Sequence, residues 1–129
     1  MDAMKKKKLP SLAKLKRDCW KAFSKFVRSR AADYAGYATC YTCDLALPWK
    51  ELQAGHGIPG RHGAVLFDID IVRPQCVRCN VFMRGNYPVF TAKLIKENGL
   101  DWWEKKWADS HKTKKITRAD YLDMIDEFQ

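Results

Sequence analysis

Long hydrophobic runs are absent from this sequence. No apolar stretch approaches the roughly 18–20 residues that a membrane-spanning helix requires, so we expect no membrane partner. The basic N-terminus is not followed by an apolar segment with a small-residue cleavage site, which predicts a cytoplasmic protein rather than a secreted one. Acidic residues are also scarce, with 15 Asp and Glu against 24 Lys and Arg and a net charge of +9. This excess of positive charge favours a polyanionic partner, most simply nucleic acid.

The chain has no internal repeat and no segment typical of an interdomain linker. Its 129 residues are enough for one domain with a modest core. Because 47% of the residues are hydrophobic, wholesale disorder is not expected. We therefore expect a flexible basic tail over residues 1–10 and a single domain over 11–129. Within that domain we expect a basic helix at 11–36, a cysteine-containing core at 37–86 and C-terminal helices at 87–129.

Four of the five cysteines form two Cys-x-x-Cys pairs. The pairs are Cys40 with Cys43 and Cys76 with Cys79, whereas Cys19 falls on the apolar face of a helical pattern. A two-residue spacer lets both sulfurs of a pair face one ion, and two pairs complete a tetrahedral site for which zinc is the usual metal. A disulfide framework fits poorly, because the cysteine count is odd and no export signal is visible. Four sulfurs close such a site, so the zinc is expected to be structural.

Hydrophobic spacing predicts the elements around the cysteine pairs. Apolar residues recur at helical spacing over 11–34, where Ser11 is a plausible N-cap. The cations of this helix face either solvent or DNA. Two strands are expected between the pairs, over 49–57 and 64–72, the second ended by Pro74. A short helix is then expected over 77–84.

Further helices are expected after the second cysteine pair. Pro88 suits the first position of one helix, which Asn98 and Gly99 end. Asp101 is a candidate cap for the next segment, whose three tryptophans either pack in the core or stack on bases. Thr117 resembles the first residue of a capping box that precedes the closing helix, with Asp three residues later.

A histidine and an asparagine lie where phosphodiester chemistry could be carried out. His56 ends the first predicted strand, and Asn80 directly follows the second cysteine pair. Hydrolysis of a phosphodiester needs a base that activates water and a hard cation that neutralises developing charge. A neutral imidazole supplies the base near pH 7, and amide or carboxylate oxygens bind the cation. The pattern predicts a ββα-metal unit braced by zinc, although a lone histidine is often only structural.

Several short motifs follow one another across the core. They are Cys-Tyr-Thr-Cys at 40–43, Leu-Gln-Ala-Gly-His at 52–56, Ile-Pro-Gly-Arg at 58–61, Phe-Asp at 67–68, Gln-Cys at 75–76, Cys-Asn at 79–80 and Gly-Asn at 85–86. Together they resemble the phage recombination protein NinG family, also called Rap, and the resemblance weakens after about Gly99. It implies structure-directed cutting of branched DNA, such as Holliday junctions or D-loops, in the host cell cytoplasm.

The layout is also similar to phage endonuclease VII, a zinc-stapled HNH, or His-Me finger, junction resolvase. This similarity implies an α+β fold, with a ββα-metal core and four-cysteine zinc knuckles flanked by N-terminal and C-terminal helices. It also implies that His56 is the general base, that Asn80 binds a catalytic magnesium or manganese ion, and that the two cysteine pairs bind zinc.

Two departures from these patterns concern the catalytic ion. Endonuclease VII has a metal-binding Asp directly before the catalytic histidine, where this chain has Gly55. Asp68 is our leading substitute, because it lies in the matching Phe-Asp motif, and Asp70 is the second. The alternatives are that His56 itself binds the ion or that activity is lost. The NinG pattern also usually has an asparagine at the position of Ile71.

Basic residues that could bind DNA phosphates fall into two groups. Arginine suits bidentate phosphate contact, although a solvated surface is the alternative for each residue. The candidates around the proposed cleft are Arg61, Arg73, Arg78 and Arg84, and those on the first helix are Lys14, Arg17 and Lys21.

Three functions are compatible with these patterns. The first is a metal-dependent endonuclease for branched DNA, active as a homodimer because symmetric cutting of a four-way junction needs two sites. The second is a non-catalytic zinc-dependent module that binds branched DNA, which Gly55 favours. The third is a zinc-stapled adaptor that binds another protein through its tryptophans. Weak, salt-insensitive DNA binding would indicate the third, since phosphate-driven binding falls with salt.

Overall fold

This computed structural model describes residues 8–129. The first element within them is helix α1, Leu12–Arg30. The Ser11 hydroxyl accepts a hydrogen bond from the Lys14 backbone N–H at 3.1 Å, which confirms the predicted cap. Leu15, Cys19, Phe23 and Val27 repeat every fourth residue and are buried. The helix ends at Arg30, four residues before the end of the helical spacing at 34 and six before the predicted boundary at 36. Of the predicted tail, residues 1–7 lie outside the described part, and 8–10 are exposed without regular structure.

The sheet structure consists of two separate antiparallel ribbons. The first pairs β1, Tyr37–Thr39, with β2, Ala46–Pro48, and the first cysteine pair lies in the loop between them. The second pairs β3, Gln53–His56, with β4, Val72–Gln75, and runs into the second cysteine pair. Each ribbon therefore positions one cysteine pair.

The predicted strands between the cysteine pairs are wrong in their bounds. Trp49–Glu51 forms a single 3-10 turn rather than the start of a strand. The segment predicted as a second strand instead begins as a short helix, α2, Gly63–Leu66, and continues as a turn before β4. Pro74 lies inside β4 rather than ending it. It stands opposite Ala54, at a position where the ribbon needs no backbone N–H, since the bonded positions alternate.

The helix predicted after the second cysteine pair is a single wide turn, Arg78–Phe82. The Met83 N–H donates to the Arg78 carbonyl at 2.8 Å, which is a step of five residues rather than the usual four. Gly85 then takes a positive φ of 95° and ends the turn near its predicted position.

The C-terminal half contains α3, Tyr87–Asn98, α4, Leu100–Ser110, and α5, Arg118–Phe128. Pro88 is the second rather than the first residue of α3, and Gly99, with φ 94°, ends that helix as predicted. Asp101 lies in the first turn of α4 and not at its cap, because the helix begins at Leu100. The capping box of Thr117 at the start of α5 is confirmed.

Two apolar clusters position the candidate site. The central one packs α1 on the β3–β4 ribbon and contains Phe23, Val27, Ala54, Ile58, Val65, Ile71 and Val72. Trp102 and Trp103 pack against it, as expected for core tryptophans. The other surrounds the cysteines and contains Ala38, Cys40, Leu52, Cys76 and Cys79. The fold is mixed α and β with small sheets, and within residues 8–129 no helix has both the length and the hydropathy to cross a bilayer.

Candidate functional site

The four paired cysteines converge on one point between the two ribbons. The Sγ atoms of Cys40, Cys43, Cys76 and Cys79 all lie within 4.8 Å of one another. Cys43 Sγ and Cys76 Sγ are 3.7 Å apart, and none of the five cysteines is in a disulfide. Within residues 8–129, these cysteines are the only group of three or more His, Cys, Asp or Glu side chains arranged to hold an ion.

The geometry of this cluster fits a structural metal ion such as zinc. Zinc holds thiolates at about 2.3 Å, which places the sulfurs of a tetrahedron about 3.8 Å apart. The Cys79 backbone N–H donates to Cys76 Sγ at 3.5 Å, and Asn86 Nδ2 approaches Cys79 Sγ at 3.8 Å. Such donors orient thiolates and stabilise their charge. The cysteine cluster can therefore hold one ion that joins the two ribbons.

Burial, hydrogen bonds and crowding shift the acidities of the thiols in different directions. Burial raises the pKa of the Cys40 thiol, but N–H groups of Cys76 and Thr42 and the Thr42 hydroxyl lower it more, to about 6. Burial and the neighbouring thiols raise the pKa of Cys43 to about 12. Four sulfurs this close cannot all ionise unless a cation binds among them. Burial alone raises the pKa of Cys19 to about 11, in agreement with its interpretation as a small buried hydrophobe.

A buried glutamine fastens the cysteine cluster to the second ribbon. Gln75 is fully buried, and its Nε2 donates to the Thr42 hydroxyl at 3.1 Å and to the Gly85 carbonyl at 2.9 Å. A Cβ at Gly55 would overlap the Gln75 side chain. The space beside Gly55 is therefore filled by the Gln75 amide.

His56 lies at the end of β3 in a half-buried position against α1. Its imidazole stacks on the Trp20 indole, with ring centroids 5.3 Å apart and an interplanar angle of 16°. Its Nε2 lies 3.0 Å from the Leu66 carbonyl oxygen, which can only accept a hydrogen bond. Nε2 therefore carries the proton in this arrangement, and Nδ1 keeps its lone pair.

Burial also keeps the imidazole neutral. It lowers the pKa of His56 below its ordinary value, the Leu66 carbonyl opposes that change, and the Arg61 guanidinium lowers the pKa further. Arg61 itself is exposed and lies over the Trp20 ring, 5.3 Å from its centroid. Near neutral pH the site thus holds a neutral base close to a guanidinium.

Asn80 lies on the other face of the β3–β4 ribbon. Its Nδ2 donates to Gln53 Oε1 at 2.8 Å. Side chains alternate along β3, so Gln53 leaves the face opposite to that of Ala54 and His56. Ala54 packs in the central cluster with α1, on the same face as His56. Asn80 and His56 thus leave opposite faces of the ribbon and share no hydrogen bond among the described residues, and their action on one phosphate stays a prediction.

The two candidate carboxylates lie together against Lys106. Lys106 Nζ on α4 is 3.2 Å from Asp68 Oδ2 and 2.6 Å from Asp70 Oδ2. Asp68 Oδ1 also accepts a hydrogen bond from the Asp70 backbone N–H at 3.0 Å. Both carboxylates are thus paired with a cation in this structure, and their role as ligands of a catalytic ion stays a prediction.

The predicted phosphate-binding residues differ in how available they are. Arg61, Arg78, Arg84, Arg17 and Lys21 are exposed. Arg73 is half-buried, donates to the Ile69 and Val72 carbonyls and lies over the Tyr41 ring. Lys14 pairs with Asp18 at 2.7 Å. Arg73 and Lys14 therefore have structural partners, and the other five present their charge to solvent.

The comparison with protein families matches residues 2–129 to the family model described as bacteriophage lambda NinG protein. The chain belongs to the NinG family. No curated protein matches the chain significantly, and no solved structure does. The resemblance inferred from the motifs of residues 40–86 is thereby confirmed at the level of the family. The match also extends past Gly99, where the motif resemblance weakened.

Sequence reasoning missed several residues that shape the site in this NinG family chain. Trp20 stacks on the His56 ring, and the Leu66 carbonyl determines its tautomer. Gln53 accepts a hydrogen bond from Asn80, and Gln75 donates one to Thr42 beside the cysteine cluster. A glutamine within an apolar strand was the one available signal, since a buried amide needs hydrogen-bond partners. The partners of His56 come from distant segments and leave no local signal.

Proposed function

We propose that this NinG family chain is a metal-dependent endonuclease that cuts branched DNA, such as Holliday junctions or D-loops, during phage recombination. The observation that carries the proposal is the state of His56, whose Nδ1 is free to accept a proton beside the exposed Arg61. Family membership and a positively charged chain support the choice of a phosphodiester as substrate.

In the proposed reaction, His56 Nδ1 accepts a proton from a water molecule. The resulting hydroxide attacks phosphorus, and the bond from phosphorus to the 3′ oxygen breaks. The stack on Trp20 and the Leu66 carbonyl hold the imidazole in one orientation, so that no rearrangement is needed before proton transfer. Arg61 binds the phosphate through its guanidinium.

A hard divalent cation, magnesium or manganese, would stabilise the charge on the scissile phosphate and on the leaving oxygen when bound. Asn80 is the first candidate ligand, because its Oδ1 accepts no hydrogen bond from the described residues. Asp68 and Asp70 are further candidates, and their use requires that Lys106 release them. Gly55 has no side chain to contribute.

DNA binding in this proposal depends on phosphate contacts spread over the surface. Arg17 and Lys21 on α1 and Arg78 and Arg84 beyond the cysteine cluster present charges that suit the arms of a junction. Such contacts give affinity with little base preference. Two copies of the chain, each cutting one strand, would account for symmetric cleavage.

The proposal is tested with a synthetic four-way junction. Wild-type protein with magnesium or manganese should nick the junction, and His56→Ala should lower the rate by at least 100-fold, the scale of general-base catalysis. His111→Ala is the matched control, because His111 is exposed at the end of α4. Zinc content is measured in all three proteins. Equal cleavage by His56→Ala with unchanged zinc content would show that His56 is not the base.

The metal ligands are tested by the metal concentration that cleavage requires. Replacement of a ligand raises that concentration, whereas loss of the ion pair with Lys106 does not. We compare Asn80→Ala, Asp68→Asn and Asp70→Asn over a manganese titration. Unchanged manganese requirement in all three variants would exclude these residues as ligands.

A second candidate function is a non-catalytic module that binds branched DNA. The filling of the space beside Gly55 by Gln75 favours it, because no carboxylate precedes His56. Junction binding without cleavage across magnesium, manganese, cobalt and nickel would support this function over the first.

A further inference from the structure

The wide turn after the cysteine cluster exposes large apolar side chains. Phe82 is 78% exposed, and its neighbours Val81 and Met83 are 51% and 44% exposed. Together with Arg84 they form what we call the apolar turn, residues 81–84. Exposed apolar residues grouped in this way are typical of a contact surface rather than of a solvated loop.

The apolar turn is held rigidly although its side chains are exposed. Its backbone is bonded at successive steps, from Met83 N–H to the Arg78 carbonyl at 2.8 Å and from Arg84 N–H to the Val81 carbonyl at 3.1 Å. The Gly85 N–H donates to the carbonyl of the buried Cys79 at 2.9 Å. Arg84 has a positive φ of 50°, a conformation that L-residues rarely adopt. The turn is therefore preorganised against the cysteine cluster.

The charges around the apolar turn select among possible partners. Arg78 precedes the apolar turn and Arg84 is its last residue; both are exposed, and within residues 8–129 neither takes part in an ion pair. The acidic residues Asp44 and Glu51 line a cleft together with Val77 and Arg78, and Arg84 is not part of that cleft. An apolar tip between two guanidinium groups complements a surface that presents flat apolar rings beside phosphates.

We propose that the apolar turn is a wedge that stacks on the base pairs exposed at a DNA branch point. Phe82 would lie on a base face, and Arg78 and Arg84 would contact the adjoining phosphates. This inference rests on the proposed function in taking branched DNA as the ligand, and it assigns the selection of branched over duplex DNA to this turn. A continuous duplex offers no open base face, so the wedge contributes only where stacking is interrupted.

The test measures binding rather than cleavage. Affinities for a four-way junction and for a duplex of the same sequence are compared without added magnesium or manganese, with 2-aminopurine at the branch point to report unstacking. Phe82→Ala should weaken junction binding roughly tenfold, leave duplex binding unchanged and abolish the fluorescence change. Phe82→Trp should retain all three properties. Tyr34→Ala is the matched control, because Tyr34 is an exposed aromatic residue outside the turn.

Three results would overturn the inference. The first is equal junction affinity for Phe82→Ala and wild type. The second is an equal loss of affinity for the junction and for the duplex. The third is a wild-type dimer in sedimentation that Phe82→Ala turns into a monomer, which would make the turn a contact between copies. Failure of the proposed function is distinguishable from these. If only the proposed function fails, the junction is bound through Phe82 but is not cut. If only the wedge fails, Phe82→Ala binds the junction as wild type does, and cutting is still lost in His56→Ala.

Discussion

Glycine at position 55 is required by a side chain of the neighbouring strand. The Gln75 amide lies against Gly55, and its Nε2 bonds Thr42 and Gly85 on the side of the cysteine cluster. Its Oε1 has no hydrogen-bond partner among the described residues. The residue before the candidate base thus serves the packing of the ribbon, and a larger residue there would push Gln75 out of its hydrogen bonds.

We predict that Gly55→Ala lowers the free energy of unfolding by about 2 kcal/mol, the usual cost of overpacking. Urea denaturation measures this change. In a Gln75→Ala background the same substitution should cost much less, because the obstructing amide is gone. An equal cost in both backgrounds would show that the Gln75 side chain is not the obstacle.

The lowered pKa of His56 makes stability depend on pH, and it would make the proposed cleavage depend on pH as well. Burial lowers the pKa of His56 in the folded state below that of the unfolded chain, so the unfolded state binds a proton first as pH falls. Its contribution to stability is therefore complete above an unfolded pKa of about 6.5 and is lost as pH falls toward the folded value. Cleavage by a neutral imidazole should fall over the same range.

We predict that wild type loses more stability than His56→Gln when the pH is lowered from 7 to 5. Urea midpoints of the two proteins at each pH give the difference. Parallel midpoints for both proteins would contradict a lowered pKa of His56. The cleavage rate should fall on the acid side only below pH 6.5. A fall that begins above pH 6.5 would also contradict a lowered pKa of His56.

At the scale of elements, the sequence predicted those that local chemistry determines. The cap at Ser11, the end of α3 at Gly99 and the capping box at Thr117 follow from a few neighbouring residues. The cysteine cluster follows from spacing alone. Such signals do not depend on contacts between distant segments, which is why they were correct.

The elements between the cysteine pairs could not be predicted in the same way. The apolar run Ala64-Val65-Leu66 suits either a strand or a helix, and burial against α4 and α1 decides for a helix. Pro74 is usually a strand terminator, but the register of β4 places it where no N–H is needed. The surroundings of His56 depend on Trp20, which comes from a helix 36 residues earlier. Only the fold brings them together.

The capping box at the start of α5 gives a prediction at this scale. The Thr117 hydroxyl accepts from the Asp120 backbone N–H at 3.2 Å, and α5 packs on α1 through the buried Tyr121. Thr117→Ala should lower the free energy of unfolding by about 1 kcal/mol. Thr117→Ser keeps the hydroxyl and should retain most of the stability. Equal losses for the two variants in urea denaturation would mean that the hydroxyl does not cap the helix.

At the scale of the molecule, two apolar clusters hold different parts of the candidate site in place. The central cluster packs α1 on the face of the ribbon that carries His56. The cluster around the cysteines is small and its ribbons are only a few residues long, so apolar burial there is limited. An ion held by the four sulfurs would supply further stability, and it would couple the first ribbon to the turn that carries Asn80 and Phe82.

We predict that Cys43→Ser abolishes zinc binding, whereas Cys19→Ala leaves about one zinc per chain. Cys43 is exposed, so its replacement removes a ligand without opening a cavity. Cys19 is buried in a different cluster and tests the loss of a thiol for packing alone. Zinc content and the melting temperature with and without a chelator are the measurements. The chelator should lower the melting temperature of wild type and Cys19→Ala but not that of Cys43→Ser. A Cys43→Ser protein that keeps its zinc and its sensitivity to the chelator would exclude the cysteine cluster as the binding site.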